Sequence, residues 1–534
     1  MKVKKWLIAV LALAVALTCL AGCGSSGGNG SDEIAEGSPV ILNGDAIYPV
    51  QCDDTLKYWV GLDPGVSQVV ENLGDTPLAK KLEEDTGVKI EYIHPSGNGA
   101  EQFQLLLAGD NLPDIVTYGW NNYPGGPQVA ISDGYIYRLN DIIDKYSPAL
   151  RKFLDENESI DKQVKDDDGN YYAYPFGMEE GILQVAFGPI FRKDWLDKVN
   201  MEIPETIDEW EAVLTAFKNE CGATAPLTGT WSSMMYLGSG YDIWQNWYLN
   251  GDEVTYGFAE DNFKNLLTTL NDWYKKGLLD ADIAVNDDKT VKNNMLTGKS
   301  GVIFGYAGSG LAQLISDIGI SNPAFDLVGS RYPSSAKDKV PEYSSLSSPV
   351  SMGSSVAISK NCINPELAAR FLDYGYTEAG HMVYNFGVEG ESYNMVDGYP
   401  TYTDWILNNP DGLSVNVAMG QYIRASYSGP FFQDTAYIEQ YYKLPQQKEA
   451  QKRWGESNMN KHLLPSLYIS TDVSDRDADI MTNVNTYREE MILKFITGEE
   501  PIENFDKYIA QLKAYGLDEA IHHRQEAYER YLAR

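Results

Sequence analysis

The chain has 534 residues, 43% hydrophobic and 22% charged, with 76 acidic against 42 basic side chains and a formal net charge of −34. This much apolar residue, with only 48 glycines and 24 prolines, excludes a disordered or collagen-like chain and allows two or three domains around a large core. The acidic surplus excludes nucleic acid as a partner and disfavours adsorption on anionic lipid, because no basic surface is available to release counterions.

Lys2, Lys4 and Lys5 form a positive start, Trp6 to Leu20 is almost wholly apolar, and Leu20-Ala21-Gly22-Cys23 follows. This resembles a bacterial lipoprotein signal, removed as residues 1–22, with Cys23 as the lipidation site. The apolar run is short for a spanning helix and lacks a basic flank on its far side. Two or more acyl chains on Cys23 would anchor the protein to the outer face of the cytoplasmic membrane. Residues 23–52 then read as a flexible tether, reaching roughly 30 Å as a coil. Cys52, Cys221 and Cys362 remain, an odd number without a CxxC pair, and read better as buried thiols than as a disulfide scaffold.

Leu56–Val60 opens the body as a strand. Thr76-Pro77 starts a helix that Gly87 ends, and Val88–Ile93 alternates as the next strand. A helix over Glu101–Ala108 and a strand over Asp114–Tyr118 complete a β-α-β-α-β run, the pattern of a mostly parallel sheet. Thr206 and Glu209 form a capping box, with Ile207, Trp210, Leu214 and Phe217 on one helical face. Asn364-Pro365-Glu366 begins another helix with Leu367, Phe371 and Leu372 inward, and Ile502–Leu532 is helical with a break at Gly516.

Several chemistries are missing. His94, His381, His462, His522 and His523 form no spaced ligand set, which argues against a zinc hydrolase, and no P-loop occurs. The G-x-S-x-G and G-x-G-x-x-G matches at residues 22–28 lie in the signal and tether, where no strand precedes them. Asp166-Asp167-Asp168-Gly169-Asn170 has its glycine at the wrong offset for a calcium loop and lacks the terminal Glu, so it reads as a tight turn. No metal and no cofactor are expected.

Four stretches in order carry a resemblance: Leu105–Ile115 (LLLAGDNLPDI) with Gly134–Asp141, Asp168–Pro175 with Phe191–Leu196, Leu296–Gly305, and Ala357–Lys360 before Asn364–Ala368. Together they resemble the extracellular solute-binding proteins of ABC importers, family 1, which includes the maltose-binding proteins. Val388–Tyr393 and the long C-terminal extension resemble that family's larger lipoprotein branch in Gram-positive bacteria. The resemblance implies an α/β, type II-like fold of two lobes joined by hinge strands, with a cleft between them. The expected boundaries are 53–175 for the first part of the N-lobe, 176–349 for the C-lobe, and 350–534 for the return to the N-lobe with a helical extension across both lobes. The implied function is capture of a carbohydrate, a neutral oligosaccharide, by lobe closure without catalysis. The expected partners are ABC permease subunits, with the membrane met only through the lipid anchor and the protein itself a monomer. A receptor for acidic oligosaccharide or peptide, and a surface-anchored glycoside hydrolase, are the alternatives.

A sugar offers hydroxyls at its rim and an apolar C–H face, so its site needs flat aromatics and planar polar groups. By the resemblance, Tyr118, Trp120 and Asn121 lie at the cleft edge after the Pro-Asp strand. Glu179, with Glu180 as its rival, corresponds to a hydroxyl-binding Glu, and Trp231 to an aromatic platform in the C-lobe. Tyr306 follows a strand that should face the crevice, and Glu391 and Tyr393 occupy a glycine-flanked loop at the rim. Trp244, Trp247 and Trp273 read as core, and Arg192 and Asp194 as caps of the Trp195 helix.

Overall fold

The computed structural model describes residues 34–534 apart from 45, 64, 110, 320 and 425–427; the signal segment and Cys23 lie outside the described residues. The body begins earlier than the expected tether boundary at residue 52. The Ser38 N–H donates to Asp54 at 2.7 Å, and strands Ile41–Asn43 and Ala46–Gln51 already pair.

β1 (Thr55–Trp59) leads into α1 (Pro77–Thr86), where the Thr76 hydroxyl accepts the Ala79 N–H and Gly87, at φ 73°, ends the helix. β2 (Lys89–Ile93), α2 (Gly99–Ala108) and β3 (Ile115–Tyr118) follow, with β1 parallel to both of its neighbours. After α3 (Pro148–Glu156), β4 (Tyr174–Met178) carries the chain out of this lobe. The second lobe contains β5 (Phe187–Arg192), α4 (Ile207–Glu220), α5 (Phe263–Lys276), β6 (Val302–Tyr306) and β7 (Leu327–Gly329). Its sheet runs β6-β5-β7, antiparallel throughout. The α4 capping box forms, and Trp210, Leu214 and Phe217 are buried beneath it.

β8 (Val350–Ile358) returns to the first sheet between β3 and β4, and α6 (Pro365–Asp373) starts at the Asn364 cap. β9 (Phe431–Gln433) then joins the edge, giving a six-stranded order β9-β4-β8-β3-β1-β2. From there the chain leaves the first lobe again through α7 (Thr435–Tyr441) and α8 (Pro445–Gly455), and α8 packs on β7 and β5. The polypeptide therefore crosses between lobes three times, the third crossing following β9 near residue 433. α9 (Ser474–Thr497) packs on α5, and α10 (Leu517–Ala533) packs on α9. Gly516, at φ 104°, makes the break before α10.

α8 lies close on its sheet because glycines face it. A Cβ on Gly188 would come within 2.4 Å of the Trp454 ring, and one on Gly329 within 2.5 Å of Ala450. Trp454 is fully buried and donates its indole N–H to Pro189 O at 3.1 Å. The Asp166–Asn170 turn is closed by its own side chain, Asp166 accepting from the N–H of Asp168 and of Asn170 at 3.0 and 2.8 Å. Cys52, Cys221 and Cys362 are free thiols, but only Cys362 is buried; the other two are half-buried.

Two outcomes follow from this packing. Trp454→Ala should cost about 3–5 kcal/mol, the range for emptying a large aromatic site, read as a lowered denaturation midpoint in urea. Asp373 is fully buried and accepts the N–H of Leu150 and Ala149, yet burial pushes its carboxyl up from 3.8 to about 6. The folded chain therefore holds a proton that the unfolded chain has released, and stability falls as pH rises toward about 6. Melting temperatures of Asp373→Asn measured from pH 4 to 7 should lack this decline, worth about 1–3 kcal/mol in the parent.

Candidate functional site

The C-terminal ends of the parallel strands β1, β2 and β3 lie along one edge of the first sheet, and β8 enters at that same edge. Tyr118 ends β3 opposite Ser355, and Gly119 follows where a Cβ would sit 3.0 Å from Gly353 O. Only glycine lets the chain pass the irregular stretch of β8, whose register against β4 shifts between Ser351 and Val356. Phe103 of α2 stacks on Tyr118 at 3.6 Å and meets Trp120 edge-on at 5.3 Å. Tyr118 remains half-exposed.

Trp120 is 0% exposed and donates its indole N–H to Val116 O at 3.3 Å. It offers no ring face here, so it supports the Tyr118 cluster from below instead of forming the second half of a presented pair. Asn121 is half-buried, and its Oδ1 has no hydrogen-bond partner. An amide acceptor is thus unspent beside Tyr118.

The second sheet has an exposed aromatic end of its own. Tyr306 ends β6 opposite Phe187, the first residue of β5, and is 53% exposed. The Tyr306 and Phe187 rings are 5.0 Å apart, Phe187 and Tyr236 are 5.3 Å apart, and Tyr236 and Trp244 are again 5.3 Å apart. All four keep some exposure, and Tyr343 stacks behind Trp244 at 6.1 Å. Tyr332 underpins the row, its hydroxyl donating to Phe187 O at 2.9 Å and its ring 5.8 Å from Tyr236. Burial first, then the neighbouring Tyr306, pushes the Tyr236 phenol up against an opposing hydrogen bond with Gln245, so it stays a neutral hydroxyl.

Trp231 opens a short helix capped by the Thr230 hydroxyl. The parallel bridge of Leu227 with Val302 places that turn at the Tyr306 end of the sheet. Its ring is half-buried, with the Arg488 guanidinium 5.9 Å away.

Glu179 stands at the hinge. Its Oε2 accepts the Thr435 N–H at 2.7 Å at the start of α7. Glu179 and Glu180 line a cavity of about 530 Å³ with Phe153, Tyr376, His381 and Phe432. Glu391 is exposed and Tyr393 is 6% exposed, both at the base of the hairpin formed by Tyr393–Val396 and Tyr399–Tyr402. Tyr393 lines a different cavity with Lys81, Glu84 and Asp85. Those residues belong to the second half of α1, which leads into the start of β2, the sheet edge opposite Tyr118. The structure thus does not bring Tyr393 to the Tyr118 edge.

Three groups escaped the reading of the sequence. Phe187 and Tyr236 carry the middle of the aromatic row, and Trp244, read as core, is half-exposed in it. A strand pattern beginning at Phe187 was the one available signal, because the first residue of β5 must face the last of β6.

The comparisons with known proteins agree with this architecture. The sequence profile of the bacterial extracellular solute-binding proteins matches residues 71–382. A fructooligosaccharide ABC transporter substrate-binding protein, FusA of Streptococcus pneumoniae serotype 4, is 24% identical over 100% of this chain and 99% of its own length. Lipoprotein LipO of Bacillus subtilis is 25% identical over 98% of each. Among solved structures, S. pneumoniae FusA in complex with kestose superposes with a TM-score of 0.71 at 22% identity, covering 90% of this chain and 100% of that one. An HMO-binding solute-binding protein associated with an ABC transporter, from Bifidobacterium longum infantis, gives 0.72 at 20% identity, covering 89% and 99%. With two lobes, three crossings between them and a profile match over more than half its length, the chain belongs to the bacterial extracellular solute-binding proteins.

Proposed function

We propose that this chain is the cargo receptor of an ABC importer, held at the membrane by lipid on Cys23, and that it captures a neutral oligosaccharide without altering it. The observation that carries the reading is the row Tyr306–Phe187–Tyr236–Trp244, with centroid steps of 5.0, 5.3 and 5.3 Å. These rings pack on one another at interplanar angles of 67°, 44° and 66° and so form one continuous apolar surface against which the C–H face of a sugar can lie. From the first lobe, Tyr118 supplies a further ring face. Trp231, near the Tyr306 end of the second sheet, and Glu179, beside the crossing strands, are proposed as further contacts. The groups at these two edges are aromatics, amides and carboxylates, which favours neutral cargo over uronates, since a carboxylate ligand calls for arginine or lysine pairs. The names of the relatives, which include a fructooligosaccharide and an HMO binder, support a saccharide.

Capture requires that cargo bind the closed form better than the open one, since only differential affinity moves the lobes. Rotation about the crossing strands would bring Tyr118 and Asn121 down on the aromatic row and exclude water. The permease would then read the closed outline.

A thermal-shift panel of kestose, nystose, neutral milk and N-glycan oligosaccharides, uronate oligosaccharides and short peptides tests the reading. One or more neutral saccharides should raise the melting temperature, with dissociation constants in the micromolar range or tighter, about −8 kcal/mol, and chromatography should return the sugar intact. A response confined to uronates or peptides, or the appearance of hydrolysis products, would overturn it. Tyr306→Ala and Trp244→Ala should each weaken the responding saccharide about tenfold or more. The ligand-free melting temperature of Tyr306→Ala should change little, because that ring is already more than half exposed.

A further inference from the structure

Two segments beyond the third crossing belong to the second lobe yet reach back into the first. α10 is seated on the second lobe. Arg524 donates to both Asp477 carboxylate oxygens at 2.7 and 2.9 Å and lies over the Trp247 ring at 4.2 Å, while the Gln525 side chain accepts the Val254 N–H at 2.8 Å. The following turns of α10 meet the first lobe. Arg530 donates to Asp167 at 2.8 Å, and Arg534 pairs with Asp167 and donates to Lys165 O at 2.8 Å. Lys162 donates to Leu532 O at 2.8 Å and sits over the Tyr531 ring at 5.0 Å.

The second segment is the loop before α9. His462 exchanges backbone and ring hydrogen bonds with Leu249 of the second lobe. Six residues on, Tyr468 is buried with its hydroxyl 2.7 Å from that of Tyr172 in the first lobe. Arg530 joins the two segments by donating to Tyr468 O at 2.7 Å. The receiving loop is itself fixed in the first lobe, where Arg151 of α3 donates to the Tyr171 hydroxyl at 2.7 Å and the Leu139 N–H donates to Tyr171 O at 2.8 Å.

From this geometry we propose that Arg530 and Arg534, acting on Asp167, are lobe-positioning residues, forming a tie that limits how far the cleft opens. The three crossing strands leave one freedom, rotation of one lobe against the other, and a tie away from those strands restricts that rotation. The Asp167 and Arg534 side chains are only 12% and 3% exposed. The contact is therefore a desolvated, charge-assisted pair and not a screened surface one. Asp167 has two arginines on one carboxylate, so it holds both the end of α10 and, through Arg530, the Tyr468 loop. For the proposed cargo cleft, a limited opening keeps the two aromatic edges within closing distance. The tie itself does not depend on the cargo being a sugar.

The test is ligand-free small-angle scattering of the chain beside its melting curve. Asp167→Asn and Arg534→Gln should each raise the radius of gyration, and the double variant should raise it by less than the sum of the single effects, because the two share the Asp167–Arg534 contact. Asp167→Glu should keep the parent radius. Arg524→Gln cuts an equally buried pair made wholly within the second lobe, and should lower the melting temperature while leaving the radius unchanged. If Asp167→Asn fails to fold, Arg534→Gln gives the reading alone. Radii equal to the parent in every folded variant, a smaller radius, or a rise in Arg524→Gln as large as in Arg534→Gln would overturn the tie. None of these outcomes bears on whether a saccharide binds.

Discussion

Everything in this molecule depends on three backbone segments crossing side by side as one hydrogen-bonded ladder. β4 lies in the middle, its Phe176 paired with Ser351 of β8 on one side and Phe431 of β9 on the other. None of the three can slide without stripping partners from its neighbours, and an unpaired buried backbone group is costly. Rotation is the motion left to the lobes. Packing reinforces the ladder: a Cβ on Gly177 would fall 2.0 Å from the Phe432 ring, so the ring lies flat on bare backbone. Where β8 passes Gly119 its register against β4 breaks. A strand with regular pairing on both sides would run straight, whereas this one bends where the first lobe's edge begins.

The many tyrosines divide into two populations on physical grounds. One population is largely buried, with the hydroxyl finding a fixed acceptor, as in Tyr48 to Arg370 O at 2.6 Å, Tyr374 to Asp85 at 2.6 Å and Tyr402 to Asn385 O at 2.6 Å. Such residues supply apolar area and one directional bond, which joins distant segments without burying a charge. The second population stands at strand ends along the edges of the two sheets, supported from behind by the first. Tyr236 is presented because Phe304 and Tyr332 fill the space beneath it, and Phe304 backs Phe187 in the same way.

How much of this could be read from the sequence follows the range of the signals. Three helix starts were legible because a side chain caps the backbone: Thr76, Thr206 and Asn364 all accept the N–H three residues on. The parallel run β1–β3 was legible because its strands alternate and its helices carry stops. β9 was not, since three residues cannot display a period, and so the third crossing was missed. α9, with 24 residues, has no side-chain cap at Val473, and its inner face is spread over a largely polar sequence. At the site, the edge after β3 could be located but the facing of its residues could not. Tyr118 and Trp120 would share a side if the strand continued, but the chain enters a 3-10 turn at Trp120–Asn122, and the indole swings into the core. Sequence spacing near a strand end thus identifies a site's neighbourhood while leaving its parity open.

The charge distribution bears on the cargo as well. Many cationic side chains are used within the fold: Arg192 on Asp194, Arg331 on Glu205, Arg370 on Glu366 and Arg524 on Asp477. Each such pair uses one of only 42 positive charges and one of the 76 acids, which leaves the surplus of 34 negative charges unpaired. At physiological ionic strength an exposed charge acts over about 8 Å. An acidic polymer approaching either edge of the cleft would therefore meet repulsion before reaching an aromatic face, whereas a neutral saccharide would meet none. The same repulsion acts against anionic lipid headgroups, so a body held near a membrane by a leash would stand off from it with its cleft clear. On the proposed reading, discrimination against anionic cargo would rest on this overall field rather than on a single residue of the site.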